Sequence, residues 1–527
     1  MKAGIFVALF VITFITVPLL SLFMASSTLL SAEQTASFSD IWNSHYIRRV
    51  LFFSLWQAFL STLLSIALAL IVSRAFARYP SFPLRSFFLS LFGLPLIVPS
   101  VVAVIGIITV YGKSGWLPIG SNLYGLLGIL LAHVFFNLPL AVRLFLPVWN
   151  QIPEQHWRIA SQLKFNGSQQ WRHIEWPALR ESLPSIAMLI FMLCLTSFAV
   201  VLTLGGGPKS TTLEVAIYQS LRFDFDPAQA VILALLQLGL SVLVAIIASR
   251  FNKIPDVEPD LNIRNSSYQS ETSRLDKVLQ LTFIILAIVF VSTPLLAIFI
   301  DAIRAPVISV LSEKNLWKAT AFSLIIGLSA ASISLVLSWF LLNASAKASY
   351  QNNDKLSQSL LICGSLIFVV PPLVIGTGLF ILLANYINVF EWAILIVILI
   401  NGLLGIPFII RTLGPEIRQN TMKYQRLCDS LNLKGWHRFK HLDFPLLRKP
   451  LGLSAALVTV FTMGDLGIIA LFGSPETATL PLLLYQRLGS YQIPQAAVTA
   501  AFLLIISLIT FWLLEKIISG KTHRRGL

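Results

Sequence analysis

Apolar runs of about 20 residues or more, separated by short polar stretches, recur from one end of this chain to the other. They fall near 5–25, 50–73, 87–111, 123–147, 183–204, 227–249, 278–300, 319–343, 358–384, 391–410, 451–472 and 493–515, about twelve segments in all, each long enough to cross roughly 30 Å of hydrocarbon as a helix. Backbone amides and carbonyls find no water in lipid and must pair within their own segment, so every run is predicted to be helical. The first run resembles the apolar part of a secretory leader. It is long for one, however, and no small-x-small cleavage pattern stands cleanly behind it, so a retained helix is expected.

The polar stretches between the runs carry a repeat. Arg158-Ile-Ala-Ser-Gln-Leu-Lys-Phe-Asn-Gly167, leading to Trp176-Pro177, returns about 268 residues later as Arg426-Leu-Cys-Asp-Ser-Leu-Asn-Leu-Lys-Gly435, leading to Phe444-Pro445. At nearly the same offset Pro139 and Arg143 match Pro407 and Arg411, and Thr212-Leu213 and Tyr218-Gln219 match Thr479-Leu480 and Tyr485-Gln486. Between the copies, 252–276 is the longest polar, turn-rich, aperiodic stretch and reads as a linker. The organisation is therefore a first repeat at 1–250, a cytoplasmic linker at 251–277 and a second repeat at 278–527. An even number of spans per repeat keeps both in one orientation, so two parallel six-helix bundles meet about an axis along the membrane normal. The fold class is an all-α membrane protein of about twelve transmembrane helices.

Composition removes the soluble alternatives. Hydrophobic residues make up 56% of the chain and charged residues only 12%, more apolar surface than one water-soluble core can hide. A net charge of +15 would point to nucleic acid in a soluble protein, but here the basic residues sort by side of the membrane. With Lys2 inside, roughly 29 of the 38 Lys and Arg residues fall on the inner face, as the positive-inside rule requires; both termini are then cytoplasmic and no nucleic-acid partner is expected. Cys194, Cys363 and Cys428 have no metal-ligand spacing, and His133 stands alone in an apolar run, so no metal site is expected. Gly205-Gly-Gly-Pro-Lys-Ser-Thr211 is interrupted by Pro208 and lacks the Gly-Lys-Ser/Thr order of a phosphate loop.

Each repeated loop reads as an amphipathic helix, a glycine turn, a second helix, and a proline opening the return to the membrane. In the first, the spacing places Ile159, Leu163 and Phe165 against the protein and Arg158, Gln162 and Lys164 outward, with Gly167 supplying the left-handed residue that ends the helix. Such a helix is either an interfacial anchor at the headgroups or a lever for a soluble partner; its duplication, with Ala160/Cys428, Leu163/Leu431, Gly167/Gly435 and Pro177/Pro445 matched, favours the lever.

These loops resemble the EAA loops of type I ABC importer permeases. Where that family carries Glu-Ala-Ala-x-x-Leu-Gly, this chain has Arg158 to Lys164 and Arg426 to Asn432, replacing the acid and the glycine in both copies. The resemblance implies the type I permease fold, coupling through Arg158, Ala160, Leu163, Gly167 and Pro177 and through Arg426, Cys428, Leu431, Gly435 and Pro445, and two copies of a cytoplasmic ABC ATPase. ATP and magnesium would be bound by that ATPase and no cofactor by this chain, which would not itself be an enzyme. The segments Leu204–Gln219, Phe223–Ala228, Gly464–Gly467 and Tyr485–Tyr491 closely resemble the thiamine ABC transporter permeases. That resemblance implies an inner-membrane importer of thiamine and its phosphates, served by a periplasmic thiamine-binding protein. Iron(III) permeases share the two-repeat build, and a proton-coupled secondary transporter of six-plus-six spans is the alternative from another class.

Asp465 lies in an apolar run, where a carboxylate is costly and usually faces a bundle interior or an aqueous path. Two readings stand. It offers a counter-charge to a cationic thiazolium beside Phe198 and Phe461, or it is a structural carboxylate bonded to a neighbouring helix or capping a broken one. Its counterpart in the first repeat is about Ser197.

Overall fold

The computed structural model describes residues 1–32, 44–79, 82–118, 123–251 and 274–520, and among them every regular element is helical. In the first repeat α1 (Lys2–Ala32) and α2 (His45–Arg78) are long spans; α3 (Arg85–Leu91), α4 (Leu94–Ile97) and α5 (Ser100–Tyr111) follow, then α6 (Leu126–Asn150). The loop region contains α7 (Glu154–Gln162) and α8 (Gly167–Gln170), and the chain returns through α9 (Trp176–Leu195), α10 (Ala199–Leu204), α11 (Leu213–Arg222) and α12 (Pro227–Ser249). The second repeat runs α13 (Arg274–Arg304), α14 (Val307–Ser312), α15 (Lys314–Tyr350), α16 (Asp354–Ser365), α17 (Pro372–Ala384), α18 (Ala393–Leu404), α19 (Ile406–Ser430), α20 (Gly435–Arg438), α21 (Phe444–Met463), α22 (Gly467–Phe472), α23 (Leu480–Gly489) and α24 (Ile493–Ser519). Of the expected linker, 252–273 lies outside the described residues, and α13 begins at Arg274, inside the boundary read from composition.

Ten of the described helices are long and apolar enough to cross a membrane, or eleven if one bent pair counts as a single span, against about twelve expected. The difference lies in the third run of each repeat. At 87–111 the chain breaks into α3, α4 and α5, with Pro95 near the start of α4 and Pro99 as the N-cap of α5. At 358–384 it bends by 81° between α16 and α17, around Pro371 and Pro372. Proline has no amide hydrogen, and its ring clashes with the carbonyl four residues back, so a helix entering these positions cannot continue straight. Hydropathy sees only an unbroken apolar run.

Those same runs carry the contact that joins the repeats. α1 packs on α17 of the other repeat and α13 packs on α5, a reciprocal exchange of first helices. Where they cross, the Pro18 carbonyl oxygen would lie 2.4 Å from a Cβ placed on Gly378, and the Pro294 carbonyl oxygen 2.4 Å from one placed on Gly106. The prolines therefore set the breaks, while Gly106 and Gly378 permit backbone contact of the small-residue kind that lipid-embedded helices use. Two polar bonds repeat inside the bundles: the Leu213 amide donates to Ser54 Oγ, and the Leu480 amide to Ser323 Oγ, both at 2.9 Å. They tie α11 to α2 and α23 to α15. The repeats also meet through Arg222, which donates to the Gly473 carbonyl at 2.9 Å and stacks over the Phe390 ring.

Candidate functional site: two matched loops and a cavity between the repeats

The two loops end their first helix in the same way. Phe165 N–H donates to the Ala160 carbonyl at 2.9 Å and Leu433 N–H to that of Cys428 at 2.8 Å, with Lys164 (φ 53°) and Asn432 (φ 50°) left-handed just before them. This corrects the expectation for Gly167, which is not left-handed and instead opens α8 behind an Asn166 capping box. Gly435 is left-handed (φ 54°) and is the first residue of α20. The positions where the resembling family places glycine are thus the helix-ending residues, and the chain retains that backbone without the residue that adopts it most cheaply. A left-handed lysine costs about 1 kcal/mol, so Lys164→Gly is expected to slow hydrogen exchange of the Phe165 amide about fivefold, with a smaller effect for Asn432→Gly because asparagine tolerates this conformation.

Arg158, Gln162 and Lys164 are exposed and Phe165 is half-buried, as the spacing predicts, but Ile159 and Leu163 do not face the protein. Ala160 and Cys428 are buried, and as small side chains they let the loop helix press close to the bundle. Ile159 and Leu163 are 52% and 61% exposed, and their counterparts Leu427 and Leu431 are 50% and 61% exposed. They lie one turn apart on one face, so burying Ala160 turns that apolar face away from the protein. Arg158 is exposed and pairs with Glu154 one turn back at 3.2 Å; Arg426 is exposed as well. Pro177 and Pro445 are second residues of α9 and α21, each preceded by a π-helical turn, Trp171–Glu175 and Phe439–Asp443. The wider turn carries the helix into a proline that an α-turn would clash with. Beside the first loop a groove of about 450 Å³ is lined in part by Gln151, His156, His173 and Pro177.

Within the membrane region, a cavity of about 230 Å³ lies where Val98, Pro99 and Ser100 of the first repeat face Phe461, Gly464 and Asp465 of the second. Asp465 occupies the break between α21 and α22, as Ser197 occupies that between α9 and α10. Its Oδ1 accepts from Gly467 N–H at 3.1 Å, and Oδ2 from Ile468 N–H and from Asn401 Nδ2, both at 3.4 Å. It therefore caps a broken helix and lines the cavity at once. Phe461 packs on Phe408, ring centres 4.8 Å apart. Phe198 is buried edge-on to Tyr218 and does not line the cavity, but it lies near the Asp465 break: a Cβ on Gly467 would lie 3.5 Å from Asp465 Oδ1 and 3.7 Å from Phe198 Cδ1. Ser197 is half-buried beside it.

Sequence patterns alone do not reveal the ions that fasten the loops. Glu175 is fully buried and accepts from Arg74 Nε at 2.7 Å and Arg78 Nε at 2.9 Å. Asp443 accepts from Arg438 at 3.2 Å. One signal does point to them: an acid stands two residues before Pro177 and before Pro445. Among the described residues, no group of three His, Cys, Asp or Glu side chains is placed to hold a metal.

Two membrane-embedded repeats, a cavity at their junction and a matched pair of polar loops are features of a transport permease. Residues 342–521 match the family described as binding-protein-dependent transport system inner membrane component. Over 485 residues the chain is 40% identical to the thiamine transport system permease protein ThiP of Brucella abortus (strain 2308), covering 90% of this chain and 89% of that one. It is 40% identical to the Escherichia coli (strain K12) protein of the same description, covering 90% of each chain, and 37% identical to that of Haemophilus influenzae, covering 96% of this chain and 94% of the relative. The chain belongs to the family of thiamine transport system permeases, inner-membrane components of binding-protein-dependent transport systems. No solved structure matches it.

Proposed function

We propose that this chain forms the whole translocation pathway of an ATP-driven importer that takes thiamine, and its phosphates, from a periplasmic thiamine-binding protein across the bacterial inner membrane. Two copies of a cytoplasmic ABC ATPase dock on the two loops and hold the ATP and magnesium. Both chain termini face the cytoplasm, on the side of the loops and of most Lys and Arg residues. The observation that carries this reading is the paired apolar face, Ile159 with Leu163 and Leu427 with Leu431, standing exposed at repeat-related positions on otherwise polar loops. One such face is a surface accident; two related by the internal repeat fit two identical partners.

The mechanism is alternating access. The loaded binding protein docks outside, ATP draws the two ATPases together, and the loops carry that movement to α9 and α21, with which they are continuous through the π-turns. Those helices end at Leu195 and Met463, immediately before the breaks that hold Ser197 and Asp465, so movement at the loops reaches the breaks beside the cavity. There the Asp465 carboxylate offers a counter-charge to the thiazolium cation and the Phe461 ring offers its face, an attraction worth about 0.5–2 kcal/mol for a well-placed ring. Hydrolysis then returns the cavity to face inward.

Asp465→Asn separates the two duties of this residue, because asparagine caps a helix as well as aspartate does but carries no charge. We expect normal accumulation and thermal stability with thiamine uptake reduced about tenfold, the loss of roughly 1.4 kcal/mol of cation stabilisation. Uptake equal to wild type would leave Asp465 a helix cap and nothing more.

A further inference from the structure

The two loops are fastened to the membrane bundle in different ways. In the first repeat the fastening is ionic and reaches across to another span. Arg74 and Arg78 stand one turn apart at the end of α2, with Glu175 between their guanidinium groups and no exposed surface of its own. Arg78 Nη2 also donates to Gln170 Oε1 at 3.0 Å, Arg74 Nη2 to the Gly167 carbonyl at 3.4 Å, and the Arg74 guanidinium lies 5.1 Å from the centre of the Trp171 ring. The end of α2 thus grips α8 and the π-turn behind it.

Among the described residues, the second repeat lacks this grip. Ser54 and Ser323 are equivalent by the bonds they accept from Leu213 and Leu480, and the same shift carries Arg74 and Arg78 onto Asn343 and Lys347 of α15. Asn343 turns back to the Trp339 carbonyl of its own helix at 2.9 Å, and Lys347 is exposed. Asp443, the counterpart of Glu175, takes its partner from within the loop: Arg438, which also donates to Gln425 at 2.6 Å. The π-turn of this loop meets α15 through the Trp339 and Phe439 rings, 5.0 Å apart and edge to face, and the loop's first helix runs on without a break from α19, which packs on α15, whereas α7 is separated from α6. Charge-assisted, forked bonds fix distance and angle together, so the first loop is held to α2 by geometry that the second loop does not have on α15.

We propose that Glu175 is a positioning residue that makes α2 and the first docking loop one rigid unit, so that the two repeats take up the ATPase movement through different joints, the first through α2 and the second through α19, whose helix runs into its loop without needing Asp443. This rests on the docking reading of the loops. A buried carboxylate is a strong fastener because removing it leaves two neighbouring guanidinium groups without the anion that lies between them.

The test uses the complete importer, permease with ATPase and binding protein, in lipid vesicles, measuring labelled thiamine uptake and ATP hydrolysis side by side. In Glu175→Ala we expect uptake to fall about tenfold while the complex still retains its ATPase and hydrolyses ATP, and in Asp443→Ala uptake to fall less than about twofold. Glu175→Asp restores part of the loss. If Glu175→Ala accumulates poorly, Arg78→Lys keeps the charge, loses the fork and is expected to show the same uncoupling in milder form. Equal losses at Glu175 and Asp443, wild-type uptake in Glu175→Ala, or uptake and hydrolysis falling in proportion would each overturn the inference. If the unaltered chain fails to retain an ATPase at all, the docking reading itself fails, a result distinct from these.

Discussion

Substituting aspartate for Leu163 and Leu431 together is expected to strip the ATPase from the permease while leaving the permease folded. Each leucine is 61% exposed in the free chain, so a charge there meets water and costs the fold little. In the complex each would sit in a groove, where burying a leucine contributes about 1.5–3 kcal/mol and an unpaired carboxylate adds a penalty of its own. Losing about 3 kcal/mol at each contact weakens each by about a hundredfold or more. Co-purification in detergent reads the outcome: wild type retains the ATPase, the double variant does not, and the melting temperature of the permease alone stays unchanged. Changing one loop only is expected to give a partial loss, since the other contact still holds its copy. By contrast, Arg158→Ala removes only a solvated pair with Glu154, worth at most about 1 kcal/mol, and is expected to have a small effect.

The second large effect is expected at the crossing of the exchanged helices. A Cβ on Gly378 would lie 2.4 Å from the Pro18 carbonyl oxygen and 2.8 Å from Pro18 Cβ, so α1 would have to move as a body. Overpacking of this sort costs about 3 kcal/mol or more, and Gly378→Ala should lower the melting temperature of the purified permease markedly. Gly106→Ala is expected to do the same through Pro294, the equivalent contact on the opposite side of the axis. Gly376 is the control two residues away. Its added Cβ would meet the end of the Leu471 side chain at 3.1 Å, which can turn aside, so Gly376→Ala should cost much less. Equal melting temperatures for the variants at 376 and 378 would contradict the close backbone crossing.

Much of this architecture is legible in the order of residues alone. Lipid imposes helices and sets their length, so apolar runs locate the spans, and the matched polar loops reveal the duplication. What the sequence hides is geometry decided by long-range contact. The break at 87–111 looks like a continuous span because Pro95 and Pro99 sit within an apolar run and leave its hydropathy high while they interrupt hydrogen bonding. The outward face of the loops escapes the pattern for a related reason. Helical spacing shows that Ile159 and Leu163 share a face, but only the packing of Ala160 against the bundle shows that this face looks away. An expectation that apolar residues point inward fails where the small Ala160 takes the buried position. Gly167 is the conspicuous glycine of its loop, yet Lys164 carries the left-handed turn. Glu175 stays hidden because its partners lie about 100 residues earlier in the chain, a pairing that neither spacing nor periodicity encodes.

Thiamine uptake into vesicles containing the permease, its ATPase and its binding protein, energised either by ATP on the loop side or by a proton gradient, tests most directly whether this chain is driven through its loops. A permease worked by its ATPases takes up thiamine only with ATP and is indifferent to a protonophore. Uptake that follows the proton gradient when the ATPase is left out would contradict it.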